Sequence, residues 1–288
     1  MKYINEDLSK ASRCEFDLLL RDDDDLTVSI LRSEVASGQF TMLAHVFYAM
    51  WNKLSWDSVE HIELKQYYDF MIDTVRQRGF VISGSSKGTL FSFPLNYNYT
   101  IQEKYGLLKN KVREIHEVKK INFIYTEEGS YLEAFCGGGC LVLDRFFYKL
   151  EKGSKSHIIN LQYDYGVHLE EEKTFSPHHR PITQASKLLK LLEIIEHRYD
   201  MSIILQINLI VTKWDLASSR YKDIEDFLLK DFNYELKQVI FKIKELEKKY
   251  FFNAGGVLPF SVGKIKQDGS YDLDQSYVEK IIKTMLAN

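Results

Sequence analysis

The chain alternates short apolar runs with longer amphipathic stretches. The run LTVSIL at 26–31 reads as a buried strand. A loop, RSEVASGQF at 32–40, separates it from a helix over 41–54, where Met42, Leu43, Val46, Phe47, Met50, Trp51 and Leu54 form one apolar stripe. A second helix is predicted over 58–77, with Gly79 just past its end. Strands are predicted at 80–83 and 90–95 around the turn Ser85-Ser86-Lys87-Gly88. The charged stretch 102–119 reads as helical in part, and INFIY at 121–125 and CLVL at 140–143 read as further buried strands. Beyond Asp144 the pattern loosens, which predicts a surface insertion over 145–182. A helix beginning at Thr183 carries Ala185, Leu188, Leu189, Leu192 and Ile195 on one face. The strongest strand signal is IILQINLIV at 203–211. One or two helices over 221–250, a strand VLPFSV at 257–262 and a helix over 275–286 complete the pattern.

Buried strands separated by amphipathic helices predict an α/β fold, with a mostly parallel central sheet covered by helices on both faces. No repeat or linker interrupts the chain, so one domain over 1–288 is expected, with 1–25 as an N-terminal extension. Ligands of such sheets bind beyond the carboxyl ends of the strands. The loops after Leu31, Tyr125, Val211 and Val262 are therefore where chemistry is sought.

The strongest strand runs into Thr212-Lys213-Trp214-Asp215. A carboxylate accepts two hydrogen bonds from the N1–H and exocyclic amine of guanine, a donor pair that adenine lacks, and a lysine stem can lie over the base plane. The competing reading is an ordinary charged turn. The long strand directly before the segment favours the first. The segment resembles the base-recognition motif of GTPases. That resemblance implies a base contact for Asp215, packing for Lys213 and loop support for Thr212. Ser261, in LPFSVG at 258–263, matches the small-residue loop that touches the base through a backbone amide in those proteins.

The phosphate end departs from the pattern. A P-loop reads G-x-x-x-x-G-K-[S/T], with backbone amides and Lys around the phosphates and a hydroxyl on Mg²⁺. Between the first strand and helix stands Ser33-Glu34-Val35-Ala36-Ser37-Gly38-Gln39-Phe40-Thr41. Gly38 matches the second glycine, Gln39 replaces the lysine, Phe40 replaces the metal-binding hydroxyl, and Glu34 adds negative charge where phosphates would lie. Gly38, Gln39 and Thr41 are the candidate nucleotide-facing residues here. Thr126-Glu127-Glu128-Gly129 resembles the Asp-x-x-Gly switch, with Thr126 in the Asp position, and Thr89 is the candidate switch-one threonine.

Taken in order, these segments are similar to GTPases of the TRAFAC class, most nearly the divergent bacterial double-GTPase type. The resemblance implies a P-loop GTPase-like three-layer fold and GTP or GDP as ligand. Gln39, Phe40 and Thr126 argue against Mg²⁺ binding and hydrolysis. The expectation is a pseudo-GTPase acting as an interaction or regulatory subunit in a bacterial signalling or defence system, with a protein partner such as a second GTPase-like protein. The alternatives are a guanine-nucleotide switch or GTP hydrolase using non-standard residues, and an unrelated α/β protein with chance matches.

Charge narrows the classes further. With 38 basic against 41 acidic side chains and a net charge of −3, the chain has no general basic field, and no nucleic-acid partner is expected. Cys14, Cys136 and Cys140 form no disulfide framework or zinc set, which suits a reducing compartment. No apolar run approaches a membrane span, and Met1 to Asp7 carries no apolar signal-peptide core, so a cytoplasmic protein is expected. Asp22 to Asp25 reads as a solvated turn and His178-His179-Arg180 as a solvated loop. No catalytic or metal-ligating residue is assigned.

Overall fold

The structure, a computed structural model, describes residues 25–32, 89–105, 109–125, 156–174, 183–230, 234–265 and 271–286, together with Gly38, Thr41, Met42, His45, Val46 and Ala49. Strands β1 (Asp25–Arg32), β2 (Thr89–Tyr105), β3 (Lys109–Tyr125), β4 (Ser156–Asp164), β5 (Ile204–Thr212) and β6 (Asn253–Pro259) form one six-stranded sheet in the order β2-β3-β1-β4-β5-β6. All neighbours pair in parallel except β2, which runs antiparallel to β3. The helices are α1 (Tyr165–Thr174), α2 (Gln184–Arg198), α3 (Trp214–Ala217), α4 (Ile224–Lys230), α5 (Tyr234–Tyr250) and α6 (Ser276–Leu286). Thr41, Met42, His45, Val46 and Ala49 are helical as well. A short ribbon of β7 (Gly263–Ile265) and β8 (Tyr271–Leu273) follows β6. This is the α/β fold with a mostly parallel central sheet that the pattern predicts.

Strand register sorts the side chains onto two faces. Leu31, Ile159, Leu161, Tyr163, Ile207, Leu209 and Val211 share the face covered by α2 and α5, where Leu188, Leu192, Ile195, Val239, Ile243 and Leu246 complete a buried core. Helix α2 starts as its sequence predicts: the Thr183 side chain accepts a hydrogen bond from the Ser186 amide, satisfying one of the unpaired donors at a helix start. The opposite face meets the helical residues Met42 and Val46 and helix α6. There Gln162 lies 3.6 Å from the Met42 sulfur, and Gln206 donates to the Thr284 carbonyl at 2.9 Å.

Helices α2 and α5 are clamped by a charge cluster. The Glu196 carboxylate receives Lys242 at 2.9 Å and Lys249 at 2.7 Å. Hydrogen bonds from these two lysines hold its pKa down at about 2, against an ordinary 4.5. A carboxyl held below its unfolded value stabilises the fold in full above the unfolded value, and that contribution is lost as pH falls through about 2. Glu196→Gln is thus expected to cost about 1–2 kcal/mol at pH 7, discounted because the lysines are partly in water. The difference from wild type should vanish in urea melts taken towards the bottom of that window. A pH-independent cost would mean that packing, not charge, holds the two helices together.

Several expectations need correction. Residues 145–182 are not simply a surface insertion: Ser156–Asp164 is the strand at the middle of the sheet, buried along its whole length, and α1 follows directly. The polar side chains in SHIINLQYD hide a core strand because each finds a partner inside. His157 is bonded by Ser29 and Tyr199, both at 2.9 Å, and burial lowers its pKa to about 3, so it is neutral. The described residues of 102–119 are not helical, since β2 extends to Tyr105 and β3 begins at Lys109, the two pairing antiparallel along their full length. Cross-strand hydrogen bonds here override the helix reading of a charged stretch. The region 221–250 holds two helices, and the predicted strand at 257–262 lies earlier, at Asn253–Pro259. The predicted helix at 58–77, the strands at 80–83 and 140–143, all three cysteines, His178-His179 and the segment 1–24 lie outside the described residues.

Candidate functional site

Parallel pairing brings the carboxyl ends of β1, β4, β5 and β6 to one edge of the sheet, with Arg32 beside Gln162, Asp164 beside Thr212 and Val211 beside Pro259. At that edge β5 ends in Thr212, which is fully buried and whose hydroxyl is directed at the Tyr163 carbonyl at 3.4 Å. Lys213 then adopts a left-handed conformation, φ 55° and ψ 39°. A non-glycine residue resists this geometry by about 1–2 kcal/mol, so the surroundings must hold it. The turn sends the chain into α3, where Trp214 is buried against Tyr165 and Phe227, with ring centroids 6.5 and 5.9 Å away. Asp215 therefore emerges in the first turn of α3.

The exit of β6 is tied to this turn. The Phe260 amide donates to the Val211 carbonyl at 2.8 Å, and the Trp214 amide to the Phe260 carbonyl at 3.0 Å. These bonds set Ser261 against Asp215: the Ser261 hydroxyl donates to Asp215 Oδ1 at 3.3 Å and itself accepts from the Gly263 amide at 3.1 Å. Burial pushes the Asp215 carboxyl above the ordinary carboxylate range, while its own backbone amide, the Ser261 hydroxyl and the Lys213 charge pull it back. Tyr277, partly buried at the start of α6, has its phenol raised by burial and then by the charges of Asp274 and Asp215. The site is thus a partly dry carboxylate with one oxygen, Oδ1, held by Ser261, a group able to accept from N–H donors.

Two features were not legible as site residues. Asp164, at the end of β4, forms an ion pair with Lys213 at 2.7 Å. Gly166 makes room for that pair, because a Cβ there would come within 3.1 Å of Asp164 Oδ1 and 3.2 Å of Lys213 Cδ. Asp164-Tyr165-Gly166 is a turn signal by composition, but it marks a strand end only once β4 is recognised as a strand.

At the β1 exit, Gly38 has φ +82°, and its carbonyl accepts from the Met42 amide at 2.9 Å, opening the helix in which Thr41 is buried. His45 from that helix packs edge-on to Phe260 at 5.9 Å and bonds Gln275 at 3.3 Å, so the β1 and β6 exits touch. Thr89 is the first residue of β2 and pairs with Tyr125, the last of β3. Gln39, Thr126 and Gly129 lie outside the described residues. Among the described residues no cluster of His, Cys, Asp and Glu could hold a metal, and no helix is long and apolar enough to cross a membrane.

No protein-family model matches the chain, and no curated protein matches it. Among solved structures, it is similar to the S. cerevisiae Ski7 GTPase-like domain bound to GDP and inorganic phosphate, at 15% identity and a TM-score of 0.34, over 83% of this chain and 43% of that one. The same domain bound to GTP gives 16% identity and a TM-score of 0.34, over 83% and 42%. The chain spans less than half the length of these structures.

Proposed function

We propose that this chain binds guanine nucleotides through Asp215 and does not turn them over, acting as a pseudo-GTPase of the bacterial double-GTPase type: an interaction or regulatory subunit for a protein partner. The observation that carries the reading is the meeting of Asp215 with Ser261, residues 46 positions apart, around a carboxylate partly withdrawn from water. A charged turn of no function has no need of a desolvated acid held by a second loop. The sequence supports the second half: Gln39 carries no charge for outer phosphates, Phe40 cannot ligate Mg²⁺, and Thr126 replaces a switch carboxylate.

Calorimetry of the purified chain with GDP, GTP and ATP, with and without Mg²⁺, tests the reading. Guanine nucleotides are expected to bind about tenfold or more tightly than ATP, since a carboxylate left unpaired by adenine costs about 1–3 kcal/mol. Mg²⁺ should change neither affinity, and GTP turnover should equal that of buffer. Equal or stronger ATP binding overturns the base assignment; a magnesium-dependent rate abolished by Gly38→Val overturns the pseudo-GTPase assignment. Retention of a GTPase-like protein by the tagged chain supports the partner role, and its failure to retain any protein speaks against it.

A further inference from the structure

No motif in the sequence points to Asp164, yet three sets of contacts converge on it. Its backbone is gripped by one buried side chain: the Asp164 amide donates to Gln184 Oε1 at 2.9 Å, and Gln184 Nε2 donates to the Asp164 carbonyl at 2.8 Å. Its Oδ1 accepts from the amides of Gly166 at 2.8 Å and Val167 at 3.3 Å. Its Oδ2 meets Lys213 Nζ at 2.7 Å, the Asp164 side chain being 1% exposed and that of Lys213 40%. A carboxylate this deeply buried requires a countercharge, and Lys213 supplies it.

We propose that Asp164 is a positioning residue for the base subsite: it fixes the Lys213 ammonium so that the lysine stem forms the ledge under the face of a purine, while Asp215 reads the edge. The inference rests on the nucleotide reading above. A lysine left free spreads over many rotamers and loses that freedom when a ligand lands on it, whereas a tethered stem is ordered beforehand. The geometry suits a tether. The backbone of Lys213 is already turned left-handed, its stem runs past the glycine at 166 where a Cβ would crowd it, and its side chain stays partly exposed. Asp164 itself cannot wander, because the amide of Gln184 and two backbone amides hold everything but the oxygen facing Lys213.

The test is GDP binding to the full chain by calorimetry, for wild type, Asp164→Asn, Lys213→Met and the double variant. Asparagine keeps the oxygen that accepts from Gly166 and Val167 and puts an uncharged N–H donor where the oxygen faces Lys213, so the ion pair is lost. Asp164→Asn is expected to weaken GDP about tenfold while leaving the preference for guanosine over xanthosine diphosphate unchanged, because the edge-reading group is untouched. The double variant should bind no more weakly than Lys213→Met alone, the signature of two residues acting through one contact. Binding within twofold of wild type in Asp164→Asn, additive losses, or an altered base preference each overturn the proposal. Should Asp164→Asn fail to fold, Lys213→Arg, which keeps the pair, is expected to outbind Lys213→Met about tenfold, and equal losses overturn it. Wild-type protein that binds no GDP removes the nucleotide reading and this one together; wild type that binds with Asp164→Asn unaffected removes this one alone.

Discussion

Asp215→Asn is expected to weaken guanine-nucleotide binding about 100-fold and to make xanthine nucleotides the better ligands. Guanine presents two donors, N1–H and the exocyclic amine, to the two acceptor oxygens of a carboxylate. An asparagine offers one acceptor and one donor, which mismatches guanine but matches xanthine, where a carbonyl stands in place of the amine. The fold should not suffer. Burial raises the Asp215 pKa above its ordinary 3.8, so the charged form is disfavoured by folding. A group raised in this way contributes stability that is complete below its unfolded pKa and lost as pH rises through the folded one. At pH 7 the neutral asparagine should therefore melt at the wild-type temperature or above it, which separates lost recognition from unfolding. By the same chemistry, wild-type affinity for guanine should fade on acidification at a higher pH than an ordinary aspartate allows, with adenine affinity flat. Parallel binding curves for GDP and xanthosine diphosphate, run on both proteins, check this. Equal loss of both ligands, or guanine binding indifferent to the substitution, would reduce 212–215 to a turn.

Gly255→Ala is expected to destabilise the protein by about 3 kcal/mol, for a reason confined to one point in the sheet. Pairing of β5 with β6 slips between Ile207 and Asn208, since Ile207 faces Ala254 while Asn208 faces Gly256, and Gly255 is the extra residue. A Cβ at 255 would strike Asn208 Oδ1 and Gln206 Nε2. Neither can step aside cheaply, because they belong to one buried chain of amides. Gln206 Nε2 donates to Asn208 Oδ1 at 2.7 Å, Asn208 Nδ2 to Asn160 Oδ1 at 2.8 Å, and Asn160 Nδ2 to the Ser29 carbonyl at 3.1 Å. The neighbouring Gly256 makes the control. Its φ is +92° with open space where a Cβ would stand, so alanine there should cost only the backbone penalty of about 1 kcal/mol. Urea melts of the two variants measure the contrast. Similar small costs at both positions would show that the amide chain yields, and pairing Gly255→Ala with Asn208→Ala should recover part of the loss if the collision is its cause.

How far local pattern reaches is clear from β5 and β4, which lie side by side. ILQINLIVT carries only two polar residues before its final threonine, so burial on both faces was legible, and so was the turn into Thr212 to Asp215. The order of helix and strand placed Ser261 at a comparable exit, and its meeting with Asp215 follows from parallel pairing of β5 and β6. The helix at Thr183 was legible too, because a cap and a stripe are matters of a few neighbouring residues. SHIINLQYD, by contrast, reads as half polar, and polar residues are ordinarily at the surface. What makes it the middle of the core is partners remote in the chain: Ser29 and Tyr199 for His157, 128 and 42 residues away, and Asn208 for Asn160, 48 away. Hydrogen bonds that close only when the sheet assembles cancel the cost of burying those groups, and no window of neighbouring residues contains both ends of any of them. The same holds for Asp164, whose countercharge Lys213 is fixed in place by strand pairing rather than by spacing.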